Sequence, residues 1–251
     1  MLSNTGFIFL ISAFCIGLGC SDPLPKFIKV CKRNDPNLDD CILNTVEELR
    51  PHLKHGIPEL GVPPLEPFEI PEIGVSGHHK QNFTAVGRNI KVFGSTNFKV
   101  EKFHVDLSNE KHPKFMTTIL LPKLDIEGEY EINAKLPVLP IKGKGSFKFT
   151  ALKTVADAVM TGEVYQKDGA EYLRFTEMDL KIDLEDYEVH LENLFNGDKI
   201  LEDATNQALN DNKEKMKKAL IPTVAKVASD FMMNLANEIA RHQSLDVLLP
   251  K

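Results

Sequence analysis

Tryptophan is missing altogether from these 251 residues, and cysteine occurs four times, never after Cys41. No Cys or His cluster has the spacing of a tetrahedral zinc site, so no metal is expected. The strings that announce common chemistries are missing as well: there is no HExxH, no GxxxxGK to cradle phosphate and no GxGxxG opening a helix. GVSGHH at 74–79 offers Ser76 without the second glycine of a nucleophile elbow, and GKGSF at 143–147 reads as a turn into a strand. Asp125, Glu127, Glu129 and Glu131 alternate with apolar residues, which puts them on a wet face rather than in a pair of glycosidase carboxylates. His78-His79 and the scattered His52, His55, His104, His112, His190 and His242 read as solvated. Neither catalytic residues nor a cofactor is expected.

A strong excess of one charge is lacking too. The chain carries a formal net charge of −6 with acidic and basic residues interspersed, which argues against nucleic acid as a partner. Long apolar runs are scarce. Phe7 to Leu18, inside a first twenty residues with no charged side chain, is too short to span a bilayer and reads as the core of a signal peptide over 1–20, cut near 19–21. A single domain over 22–251 would remain, secreted and extracellular. Cys15 falls in that leader and Cys20 at its boundary, leaving Cys31 and Cys41 to form one disulfide in an oxidising compartment. Closing so short a loop is worth roughly 2–3 kcal/mol. The sequon Asn82-Phe83-Thr84 marks Asn82 for glycosylation at the surface.

What is present is periodicity. Ile42, Leu43, Val46, Leu49 and Leu53 repeat at helical spacing, with Pro51 and Gly56 marking the expected end of a short helix. The proline-rich stretch 56–74 reads as an extended lead-in, because each proline removes an amide donor. From about Gly77 to Leu191 the period is two, clearest where Leu124, Ile126, Tyr130, Ile132 and Leu136 alternate with charged residues. Phe98 and Val100 point one way while Phe103, Val105 and Leu107 take the opposite parity, which predicts a β-bulge near Glu101-Lys102. Glycines 87, 94, 128, 143, 145 and 162 are candidate bends. After Asp198, a plausible N-cap, apolar residues recur every three or four positions to about His242, predicting one long helix kinked at Pro222. The fold class is therefore α+β: a one-sided antiparallel sheet against a long C-terminal helix.

Fifteen phenylalanines on long one-sided strands fit two readings, a plain core or a ligand cavity, and the pattern alone leaves both open. Six features bear on the choice: the pair Cys31 and Cys41, EELRPHLKHGIPELGVPPLEPFEI at 47–70, GSTNFKV at 94–100, LLPKLDIEGEYEI at 120–132, LENLFNGDKILEDATNQALN at 191–210, and the closing LLP. Together they resemble the insect takeout and juvenile-hormone-binding family over nearly the whole mature chain. The resemblance implies a long helix rolled inside a strongly curved sheet, with an internal tunnel for hydrophobic ligands. Hormone-binding members of that family carry a second disulfide further along. With no cysteine after Cys41, this chain is more similar to the takeout branch.

Face assignment then nominates tunnel-lining residues. On the helix these are Met216, Leu220, Val224, Val227, Phe231 and Leu235, and on the strand opposite Leu124, Ile126, Tyr130 and Ile132. Phe98, Val100, Phe147, Phe149, Leu180 and Ile182 complete the set. The expected function is that of a secreted, monomeric, non-enzymatic carrier of a terpenoid, fatty acid or similar lipid-like signal, with transient contact to a membrane or receptor. The alternative is a signalling or interaction protein of feeding or circadian physiology that binds no ligand.

Overall fold

The computed structural model describes residues 24–76, 84–135 and 138–251. The expected leader at 1–20, His78-His79, the Asn82 sequon and Leu136 lie outside the described residues. Six strands follow an N-terminal helix α1 (Leu38–His55): β1 (Phe68–Ser76), β2 (Thr84–Phe93), β3 (Lys99–Asp106), β4 (Lys114–Lys135), β5 (Pro140–Lys167) and β6 (Ala170–Leu191). They pair antiparallel in the order β1-β2-β4-β5-β6, while β2 and β3 share one edge of β4, opposite 125–133 and 114–120. A straight strand of 28 residues, the length of β5, would reach about 90 Å, so the sheet must coil on itself. Asp168 and Gly169, both at positive φ, make the tight β5–β6 turn.

The predicted bulge is present as a register shift between Val100 and Lys102, and further shifts fall between Arg88 and Lys91 and between Thr161 and Gly162. A second irregularity crosses three strands. Buried positions run odd in β5 up to Ala151 and even from Thr154. In β6 they change from Leu184 to Tyr187, and in β4 from the parity of Phe115 to that of Tyr130. The switch lies where Pro122, Lys153 and Glu185 face one another: the ladder skips all three, proline has no amide to donate, and Lys153 is left-handed at φ 48°. This line is a corner at which the concave face changes from one set of side chains to the other.

In the N-terminal third, helix α1 runs through Pro51 and ends at Gly56, the later of the two expected stops, whose amide returns to the Leu53 carbonyl. The sheet begins at Phe68 rather than near Gly77; Pro71 is tolerated because β1 is an edge strand, where one missing ladder bond faces water.

The C-terminal helix is also corrected. Asp198 caps it as expected, accepting from the amides of Ile200 and Leu201, but the chain bends at Asn212 (φ −111°, ψ 38°) into α2 (Lys199–Asp211) and α3 (Lys213–Arg241). Pro222 leaves α3 unbroken, since the bond it forfeits lies on the exposed side. A short α4 (Leu245–Leu248) ends the fold.

Helices α2 and α3 run back along β6, the far edge of the sheet. An open edge presents unpaired amides and carbonyls, and here helix side chains take the place of a neighbouring strand. Asn206 donates to and accepts from the backbone of Leu191, Asn210 does so at Val189, and Asn237 at Phe175. Lys217 donates to the Leu184 carbonyl and Ser229 to that of Met178. From Leu191 to Phe175 the strand covers about 53 Å, and from Asn206 to Asn237 the helices cover about 46 Å, so the clamps stay in step along the whole edge.

Three apolar cores result. The first joins Tyr130, Ile141, Ala151, Leu184, Tyr187, Leu194, Leu209 and Met216 at one end of the sheet. The second gathers Cys31, Leu38, Val105, Leu173, Leu245 and Leu249 around the Cys31–Cys41 disulfide. The third seats Leu235 and Ile239 of α3 on Ile57, Leu60 and Val62.

Candidate functional site

Helix α3 is bonded to β6, yet it also reaches the opposite edge: the Phe231 ring lies 4.9 Å from that of Phe68 on β1. The two outer strands thus meet one helix, and the sheet curls around it without closing by strand pairing. Between the packed ends, Leu180 and Ile182 of β6 and Val224, Val227 and Phe231 of α3 are apolar side chains left only partly covered.

The nominated residues sort along this axis. Tyr130 and Met216 are buried in the first core, with Leu124, Ile132, Phe147, Phe149 and Leu220 packed on it; they form the floor of one end. Leu235 belongs to the opposite end. Leu180, Ile182 and Val227 are half-buried and, among the described residues, belong to none of the three cores. Val224 is 54% exposed and Phe231 37%, too open for a helix stripe closed into a packed core. Ile126, the register partner of Phe149, and Val100, the partner of Ile119, are half-buried and, among the described residues, belong to none of the three cores. Phe98 sits apart, beneath the Arg50 guanidinium of α1 at 4.0 Å from the ring centroid. Arg50 also donates to the carbonyls of Thr96 and Phe98.

Phe68, Ile119 and Leu121, which face assignment did not nominate, are half-buried apolar residues as well. The last two share the parity of Phe115 and so turn inward beyond the corner at Pro122. Phe68 was hidden between Pro67 and Pro71. Among the described residues, two clefts lie near the disulfide. One of about 410 Å³ is polar, with Asp35, Asp39, Asp40 and His104, and one of about 340 Å³ is floored by Leu107, Pro113, Phe115, Val164 and Leu173.

The electrostatics of the first core suit packing rather than proton transfer. Burial pushes the Tyr130 phenol up to about 12, with Glu202 and Glu192 adding to the rise, and its hydroxyl donates to the Glu192 carbonyl at 2.8 Å. Tyr187 is likewise pushed up to about 12, chiefly by burial, and donates to the Leu209 carbonyl at 2.8 Å. A general acid or base works best with a pKa near neutrality, and these move away from it. Glu202, buried beneath the 193–197 turn, is held below the usual carboxylate range first by its hydrogen bond to Lys199 and then by the Leu194 amide. Among the described residues, no three His, Cys, Asp or Glu side chains converge and no helix is long and apolar enough to cross a membrane.

The profile of the family described as haemolymph juvenile hormone binding protein (JHBP) matches residues 8–250. Among curated proteins, circadian clock-controlled protein daywake of Drosophila melanogaster is 28% identical over 207 residues, covering 80% of this chain and 78% of that protein. Its counterpart in Drosophila yakuba is 26% identical over 199 residues, covering 77% and 75%. The crystal structure of Epiphyas postvittana Takeout 1 superposes with a TM-score of 0.74 at 18% identity, over 89% of this chain and 100% of that one, and shares its fold.

Proposed function

This chain belongs to the haemolymph juvenile hormone binding protein family, and from that premise we propose that it is a secreted, non-enzymatic carrier of a small hydrophobic ligand. The observation that carries the proposal is incompletely covered apolar surface between the packed ends, which we read as the lining of an apolar trough. Leu180 and Ile182 of β6 and Val224, Val227 and Phe231 of α3 are apolar and incompletely covered there, where Lys217 and Asn237 tie the two ends of α3 to β6. Covering such surface with an apolar guest is worth about 25 cal/mol per Å², so a lipid-like chain needs few polar contacts. A terpenoid or fatty-acid-like ligand fits the shortage of polar groups. The single disulfide argues for the takeout branch and against juvenile hormone itself.

The test exploits a chain with no tryptophan. An apolar naphthylamine probe should show saturable uptake by the wild type. Ile182→Trp or Val227→Trp should fill the trough, weaken uptake at least tenfold, emit in the blue as buried tryptophan does, and leave the melting temperature nearly unchanged. No saturable uptake by the wild type would refute the carrier role.

A further inference from the structure

Residues 23–34, PLPKFIKVCKRN, contain Lys26, Lys29, Lys32 and Arg33 and no carboxylate, in a chain whose net charge is −6. The described part of this segment forms a strap alongside α1, turning at Lys26-Phe27 where the Ile28 amide donates to the Pro25 carbonyl. Its inner side is anchored: Leu24 and Ile28 pack on the core of Ile57, Leu60 and Val62, the Lys29 carbonyl accepts from Thr45, and Cys31 is bonded to Cys41. Its outer side is apolar where solvent would favour polar residues. Phe27 is 37% and Val30 43% exposed, each beside an exposed lysine, and the Phe27 ring stacks on His52 at 3.9 Å.

Of the carboxylates nearby, Asp35 close to Lys32, Asp40 and Glu59 have no ion-pair partner among the described residues, and the others are engaged. Glu48 pairs with Lys29, Glu47 with Arg50, and Asp39 with His104 and the Val105 amide; Glu59 is exposed on the turn beyond α1. Arg33 is taken by Glu171 and Asp246. Lys26, Lys32 and, at the end of α1, Lys54 have no ion-pair partner among the described residues. A rigid strap thus presents free ammonium groups with an aromatic ring and a valine between them.

We propose that this strap is a docking surface for anionic phospholipid membranes. Lysines complement the headgroups, each strengthening attachment about fivefold at low salt. Phe27 and Val30 occupy the interfacial depth that amphipathic segments use. A sulfated glycan would satisfy the charges but would leave the ring and the valine idle. The strap rests on the core that holds Leu235 and Ile239, so docking would bring that end of α3 to the lipid surface.

Vesicle flotation of the full secreted chain tests this independently of any bound ligand. Vesicles of phosphatidylcholine with about one-third phosphatidylserine should carry the protein at low salt, at least tenfold better than pure phosphatidylcholine, and release it in high salt. Lys26→Glu with Lys32→Glu should weaken binding about 25-fold or more. The same charge change at Lys102 and Lys111, both exposed on the sheet side, should cost little. Phe27→Ser with Val30→Ser should weaken binding at an unchanged melting temperature. Equal flotation on both vesicle types, or an unaffected Lys26/Lys32 variant, overturns the proposal. Retention on heparin without flotation also overturns it and gives the strap to a glycan.

Discussion

Asn237→Leu tests whether helix side chains stand in for a missing strand. In the wild type the Phe175 amide donates to Asn237 Oδ1 at 2.7 Å, and Asn237 Nδ2 donates to the Phe175 carbonyl at 3.0 Å. Leucine is close in volume, so packing is nearly conserved while both bonds vanish. The two bonds together contribute about 2 kcal/mol, and stranding a part-buried amide and carbonyl adds up to about 2 kcal/mol more. The expected loss is about 2–4 kcal/mol. For a domain of this size that lowers the melting temperature by roughly 5–15 °C. Urea unfolding should show a lower midpoint at an unchanged slope, because the surface exposed on unfolding stays the same. Asn234→Leu, three residues earlier on the exposed face of α3, is the control and should change stability by less than about 0.5 kcal/mol. Equal effects of the two substitutions would refute the idea that the asparagines pair with β6.

Replacing Cys31 and Cys41 by serine opens a loop of sequence separation 10 and should cost about 3 kcal/mol in a chemical denaturation series. Glu202 has a folded pKa below its ordinary value, so its contribution is present above the unfolded pKa of 4.5 and is lost as pH falls through the folded one. Glu202→Gln should therefore lower the melting temperature at neutral pH and shrink the gap to the wild type between pH 5 and 3. A constant gap would contradict that role.

The sequence made the local rules legible. Alternation gave the long strands, the parity change at Glu101-Lys102 gave the bulge, Asp198 gave the cap, and two cysteines gave the disulfide. The corner at Pro122, Lys153 and Glu185 was written only as separate parity changes in three strands, and it takes the strand register to align them. Asn206, Asn210 and Asn237 look like ordinary polar helix residues until β6 lies beside them. The bend at Asn212 carries no proline, whereas α3 continues unbroken through Pro222, the obvious candidate. For the nominated helix stripe, periodicity could not separate the residues packed into the end cores from the more open middle. That distinction depends on Phe68 reaching Phe231 from the other side of the sheet.

The carrier role is tested most directly by native mass spectrometry of the chain secreted from insect cells, before and after organic extraction. A discrete added mass that extraction removes, identified by chromatography as a lipid-like molecule, is the result predicted. A clean unliganded mass, together with no saturable uptake of an apolar probe, would contradict it.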